Sequence, residues 1–196
     1  CDVLFLPSLL EVYPEGTEHA EKYDLGYLET VLEGKFRPGH FQGVCLVMHH
    51  LLTIVAADEL YIGQKDYQQC MVIKKLVDLK DIKTNINICA TLRETDGLAM
   101  SSRNMRLTER QRKEAVKIFE TLSYLKKNIK PGNLTTLKQV ATKSLTEAGF
   151  KPDYVEIAHA DNLEILNSWD GRTKTVALIA AFLGDVRLID NMVLQD

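Results

Sequence analysis

Between residues 42 and 56 the apolar side chains Val44, Val47, Met48, Leu51, Leu52 and Val55 recur at the i, i+3, i+4, i+7 spacing of a helix that turns one face to a core. The following run, Asp58-Glu59-Leu60-Tyr61-Ile62, is strand-like and is expected to close a buried strand at Tyr61-Ile62. Tyr67 to Leu79 reads as a second helix, and Asn85-Ile86-Asn87-Ile88-Cys89-Ala90 alternates as a further strand. Upstream, Cys1-Asp2-Val3-Leu4-Phe5 reads as a mid-sheet strand. Strands alternating with helices imply right-handed crossovers and a parallel sheet, so the first half is expected to be α/β.

The character changes after Asn104. Thr108-Glu109-Arg110-Gln111 has the form of a capping box, and Ala115, Ile118, Phe119, Leu122 and Leu125 then mark the buried stripe of one long helix ending near Lys127. Pro131-Gly132-Asn133 breaks the chain. A second amphipathic helix carries Leu137, Val140, Ala141, Leu145 and Ala148 and stops at Gly149. Strand-like runs close the sequence at Tyr154–Ala158, at Thr175–Phe182 and, after Gly184-Asp185, at Val186–Asp190. Two helices followed by antiparallel strands argue for a small α+β domain. The expected division is 1–103 for the α/β part and 104–196 for the α+β part.

Charge and composition narrow the partners. With 24 basic and 27 acidic residues the net charge is -3, which does not favour a broad nucleic-acid surface. No apolar stretch approaches the ~20 residues that span a bilayer, and no leader with a cleavage site opens the chain, so a cytoplasmic location is expected. The four cysteines, Cys1, Cys45, Cys70 and Cys89, form no Cys-x-x-Cys pair and read as small buried hydrophobes; neither a disulfide nor a metal site is expected. His49 and His50 are neighbours on a helix and cannot share a metal as an i, i+4 pair could, so they read as structural. His19 and His159 have no partner at ligand spacing, and Trp169 reads as a packing residue.

Two segments carry phosphate chemistry. The stretch Leu92-Arg93-Glu94-Thr95-Asp96-Gly97-Leu98-Ala99-Met100-Ser101-Ser102-Arg103-Asn104 places paired hydroxyls and a guanidinium fork behind an Asp-Gly turn expected to be flexible. Gly63-Gln64-Lys65-Asp66 lies where a strand gives way to a helix, the place at which open α/β sheets bind ligands, and Lys65 there sets a positive charge near helix N–H groups. A lone lysine or Ser-Ser pair would be an ordinary surface feature. Gln69 lies about one helical turn beyond Asp66.

Together with Arg37-Pro38-Gly39-His40-Phe41-Gln42-Gly43-Val44, these segments resemble the pantoate–β-alanine ligases of the HIGH-type nucleotidylyltransferase superfamily. The likeness runs in order from the Pro7-Ser8 and Tyr13-Pro14 turns to Leu183-Gly184-Asp185-Val186-Arg187-Leu188-Ile189-Asp190-Asn191. It implies a Rossmann-like nucleotide-binding domain followed by a small α+β lid domain. It also implies that Gly63, Gln64, Lys65, Asp66, Leu92, Met100, Ser101, Ser102 and Arg103 bind ATP, with Lys65 and Arg103 catalytic and Gln69, rather than Gln68, holding pantoate. Gln64 stands where glutamate is commoner and Ala90 where proline is usual. Arg37 and His40 are either turn residues or part of the site's rim. The family's first signature, a strand leading into a Met-x-x-Leu-His-x-Gly-His loop that meets the ATP phosphates, does not occur here. The chain is therefore expected to be an incomplete member, inactive by itself.

The reaction implied is ATP-dependent ligation of pantoate and β-alanine through pantoyl adenylate, with Mg²⁺ accompanying ATP as co-substrate and the Met100–Asn104 loop as a lid. No covalent nucleophile is needed, and no Ser-His-Asp or Cys-His arrangement is evident. Expected partners are these small molecules, with neither nucleic acid nor membrane, and a second copy of the chain in the full-length protein. A related nucleotidyltransferase acting on another acid would share Lys65 and Ser101–Arg103 without needing Gln69; a non-catalytic fragment is the third reading.

Overall fold

The computed structural model describes residues 2–14, 16 and 21–195; Cys1 and His19 lie outside them. The chain forms two compact units, one of Cys1–Ile62 with Gln68–Asn87 and the other of Gly63–Tyr67 with Ile88–Asp196.

In the first unit Ser8 opens a short helix, α1 (Leu9–Val12), with a capping box in which Ser8 and Glu11 exchange side-chain and backbone hydrogen bonds. Helix α2 (Leu32–Phe36) precedes α3 (His40–Val55), which starts after Gly39 at φ 77°. Strand β1 (Glu59–Gly63), helix α4 (Tyr67–Leu79) and strand β2 (Asn85–Cys89) then form a βαβ unit. The Asn85 amide at the start of β2 donates to Asp58 O at the start of β1 (2.8 Å), which sets the two strands parallel, as a helical crossover requires.

The buried side of α3 is centred on Phe41, Cys45 and Leu52, while Val55, expected in the stripe, is 55% exposed. The reason is the segment it packs on. Gln42 clamps the backbone of Tyr23 with two 2.9 Å hydrogen bonds, and Tyr23 and Leu25 join Phe41, Cys45, Val72 and Leu76 in one core. Strand β1 is found where expected but is not buried, Tyr61 being 69% exposed. Residues 2–7 form no strand, and Val3, Leu4 and Leu6 are exposed. A strand exists through its ladder, and among the described residues this sheet consists of β1 and β2 alone.

The second unit begins its helices at Thr108, whose hydroxyl and Gln111 form the expected capping box. The single long helix expected there is two, α5 (Glu109–Glu114) and α6 (Lys117–Asn128). At the joint the Ile118 amide reaches back three residues to Ala115 O (3.2 Å), a 3₁₀-type bond that tightens the turn. Strand β3 (Gly132–Asn133), helix α7 (Thr135–Glu147), and strands β4 (Phe150–His159), β5 (Ser168–Trp169), β6 (Thr175–Leu183) and β7 (Val186–Val193) follow. β6 lies between β4 and β7, antiparallel to both, and β3 pairs with β5. Gly184, at φ 57°, supplies the left-handed residue of the two-residue β6–β7 turn. Ile118, Leu122 and Leu125 of α6 and Ala141 and Leu145 of α7 share a core with Ile157, Ile179 and Leu188 of the sheet; Trp169 packs on its margin.

The expected division at 103 differs from this partition. Residues 88–103 and the turn 63–67 both group with the second unit, because polar side chains of β7 hold both.

Candidate active site

Lys65 sits in a single 3₁₀ turn, Gln64–Asp66, between β1 and α4. The turn is gripped from β7: Asn191 Nδ2 donates to Gln64 O and to Lys65 O, each at 2.9 Å, and Asn191 Oδ1 accepts from Gln64 Nε2 at 3.2 Å. At the start of α4 the Tyr67 hydroxyl donates to Ala160 O at 2.8 Å. The Lys65 ammonium makes no hydrogen bond among the described residues. Gly63 has an ordinary φ of −79°, and a Cβ built there meets nothing within 4 Å, so the fold itself makes no demand for glycine.

The second loop is a narrow hairpin. Met100 N donates to Leu92 O and Glu94 N to Leu98 O, with Arg93 bridged to Ala99. Its Asp-Gly turn is anchored rather than free. Gly97 lies at φ 92° with its Cα against the Phe119 ring, and Asp96 receives two hydrogen bonds from Arg112, at 2.8 and 3.3 Å. Ser101 then caps the 3₁₀ segment Ser102–Arg106, its hydroxyl accepting from Arg103 N (3.2 Å). Arg103 donates to Arg187 O (3.4 Å), and Asn104 Nδ2 to Ala99 O (3.0 Å). Asn104 Oδ1 is buried with no hydrogen-bond partner among the described residues.

Beneath both loops lies Asp190 of β7, 5% exposed. Arg93 grips its carboxylate through two hydrogen bonds, 2.6 and 3.1 Å, and also donates to Gly97 O and Asn191 O, its guanidinium 4.8 Å from the Phe119 ring centre. Burial raises the Asp190 pKa; Arg93 and, less strongly, Lys65 oppose the rise by favouring the ionised form. Farther along β7, Arg187 pairs with Asp153 at 2.7 Å across the sheet.

Lys65, Ser101, Arg103, Asn104 and Asp190 thus surround one small cavity, of about 10 Å³, which is room for about one water. The two cations, one a point charge and one a planar fork, are suited to a multi-oxygen anion set against the outside of this cavity. Of the other residues expected to bind ATP, Gly63 and Gln64 belong to the same turn, while Asp66, Ser102, Leu92 and Met100 are exposed, Leu92 by 75% and Met100 by 47%. None of these six lines the cavity.

Gln69 belongs to the first unit. It is half-buried and makes no hydrogen bond among the described residues, whereas Gln68 is buried and fully engaged, accepting from Glu33 N (2.9 Å) and donating to Leu28 O and Val31 O. In the same unit Arg37 lies 3.7 Å from Glu33, and His40 follows the Gly39 turn. His49 and His50 pack edge-on against Tyr23 and Tyr13. Cys45 and Cys70 are buried, the Cys45 thiol pushed up to about 12 by burial; Cys89 is exposed, at the end of a strand with an open face.

Motif spacing assigns no role to Arg93, Asp190 or Asn191. The signal available was two polar residues, Asp190-Asn191, interrupting the apolar strand that begins at Val186.

A sequence model of the family described as pantoate-beta-alanine ligase matches residues 1–193. The chain is similar to the pantothenate synthetase of Cytophaga hutchinsonii, 42% identical over 198 residues, covering 99% of this chain and 69% of the relative. Among solved structures, pantothenate synthetase from Thermus thermophilus superposes with a TM-score of 0.85 at 32% identity, over 100% of this chain and 70% of that one. The pantoate-beta-alanine ligase of Francisella tularensis, crystallised in complex with beta-gamma ATP and beta-alanine, gives 0.73 at 34% identity, over 94% of this chain and 62% of that one.

Proposed function

This chain belongs to the pantoate-beta-alanine ligase family, and we propose that it serves the ATP-dependent joining of pantoate to β-alanine, with the Lys65 turn and the Ser101–Arg103 segment binding the nucleotide. The observation that carries the reading is the meeting of Lys65, Ser101 and Arg103 around one cavity from loops far apart in sequence.

In the first step the pantoate carboxylate attacks the α-phosphorus of ATP, and pyrophosphate leaves with the electron pair of the broken P–O bond. Lys65 and Arg103 offset the charge that develops on the phosphate oxygens; the backbone of the Lys65 turn is held by Asn191, and Arg103 by its bond to Arg187 O. The β-alanine amine then attacks the acyl carbon of pantoyl adenylate, loses a proton, and displaces AMP. Gln69 suits pantoate, because its amide both donates and accepts and nothing among the described residues consumes it. Among the described residues no three His, Cys, Asp or Glu side chains form a metal cage. Magnesium is taken to accompany ATP as co-substrate, and no step is assigned to it.

We further propose a cytoplasmic, dimeric enzyme; no helix among the described residues is long and apolar enough to cross a membrane. In the extended protein, the chain preceded by the N-terminal segment of a family member, pantothenate is expected to form from pantoate, β-alanine and ATP with one AMP per product. Lys65→Ala in the extended protein should slow pyrophosphate release about 10²–10³-fold. Undiminished release by that variant would remove Lys65 from the mechanism, and AMP formation with another acid but not pantoate would establish a different substrate.

A further inference from the structure

Asn191 is 2% exposed on β7, where an apolar side chain would be the simpler choice for a sheet packed on helices. Every polar atom of its side chain is directed at one place. Nδ2 bonds the two successive carbonyls of Gln64 and Lys65, and Oδ1 takes the Gln64 side-chain amide. Three bonds from one side chain fix the peptide planes on both sides of Lys65 Cα, and with them the direction in which that side chain leaves the backbone. Asn191 is itself fixed through its backbone: its N–H donates to Asp190 Oδ1 (2.8 Å) and its main-chain carbonyl accepts from Arg93 (3.2 Å), which also holds Gly97 O (3.0 Å) in the loop leading to Ser101. One chain of hydrogen bonds therefore runs from the Gly97 turn through Arg93, Asp190 and Asn191 to Lys65.

We propose that Asn191 is a positioning residue for Lys65, and that the Arg93–Asp190 pair sets the register between the Lys65 turn and the Ser101–Arg103 segment. The inference rests on the function proposed above, and it adds a step-specific consequence. A residue that acts through Lys65 matters for attack on the α-phosphate and not for aminolysis of a finished adenylate. A residue that merely holds the fold together matters for both.

Asn191→Asp keeps the shape of the side chain but, ionised, donates to neither carbonyl. In the extended protein two rates are read with ATP and magnesium: pyrophosphate release with pantoate, and AMP release from supplied pantoyl adenylate with β-alanine. The expected result is a loss of about 10- to 100-fold in kcat for the first, with the KM for pantoate and the second rate little changed. In the Lys65→Ala background the same substitution should cost nothing further, because the residue through which it acts is gone. Arg93→Lys, which keeps the charge but loses the fork, provides a second variant with the same expected selectivity and a smaller loss. Equal loss in both half-reactions, in whichever of the two variants folds, overturns the inference. So does an undiminished effect of Asn191→Asp when Lys65 is already alanine. If the parent protein releases no pyrophosphate with pantoate, the functional reading fails, and this inference fails with it.

Discussion

Arg93 shows how much one side chain carries here. Its guanidinium satisfies a carboxylate that is 3% exposed, two backbone carbonyls and an aromatic face. Arg93→Ala leaves Asp190 buried without its counter-ion, so chemical denaturation should register a loss of about 3–5 kcal/mol; a loss within experimental error would show the pair to be dispensable. Gly97 is constrained from the other side of the same loop. An added Cβ would stand 2.1 Å from Phe119 Cδ1, on a backbone already at φ 92°. Gly97→Ala should therefore lower stability by about 1–3 kcal/mol, with partial recovery when Phe119 is made smaller. At the surface, Asp170 accepts from Thr173 N, Arg172 N and the Thr173 hydroxyl, which hold its pKa at about 2. A carboxyl depressed in the fold stabilises it above the unfolded pKa, and that contribution is lost as pH falls through the folded one. An NMR titration should place the Asp170 midpoint near 2, and a midpoint at the ordinary 3.8 would contradict the turn's geometry.

Elements were legible where their cause is local. The Thr108–Gln111 capping box needs only residues three apart, and both of its hydrogen bonds are present; Thr108→Ala should cost about 1 kcal/mol, readable as a lowered Tm. The Gly149 stop of α7 and the Gly184 turn between β6 and β7 are equally local. The break between α5 and α6 was not legible, because the apolar stripe of Ala115, Ile118, Leu122 and Leu125 continues through it and only backbone bonding changes. Burial of strands was misread for the opposite reason. Apolar content made Tyr61-Ile62 and Val3-Leu4-Phe5 resemble interior strands, but burial and pairing depend on neighbours that local sequence does not specify.

At the scale of the molecule, motif and resemblance named Lys65, Ser101 and Arg103, and the structure places all three around one cavity. What they could not show is the means: two loops belong to one compact unit because Asp190 and Asn191, near the end of the chain, bond Arg93 and the Lys65 turn. Contacts between residues so far apart in the chain leave no trace in local periodicity. Activation of pantoate as an acyl adenylate, as proposed above, leaves an isotopic record. Pantoate labelled with ¹⁸O in its carboxylate tests it most directly, in the chain preceded by the His-x-Gly-His segment and supplied with ATP, magnesium and β-alanine. Attack on the α-phosphorus makes one carboxylate oxygen the bridge to phosphorus, and aminolysis then breaks the acyl C–O bond and leaves that oxygen on AMP. The expected result is one ¹⁸O in each AMP and none in pyrophosphate; unlabelled AMP, or label in inorganic phosphate, would overturn the proposal.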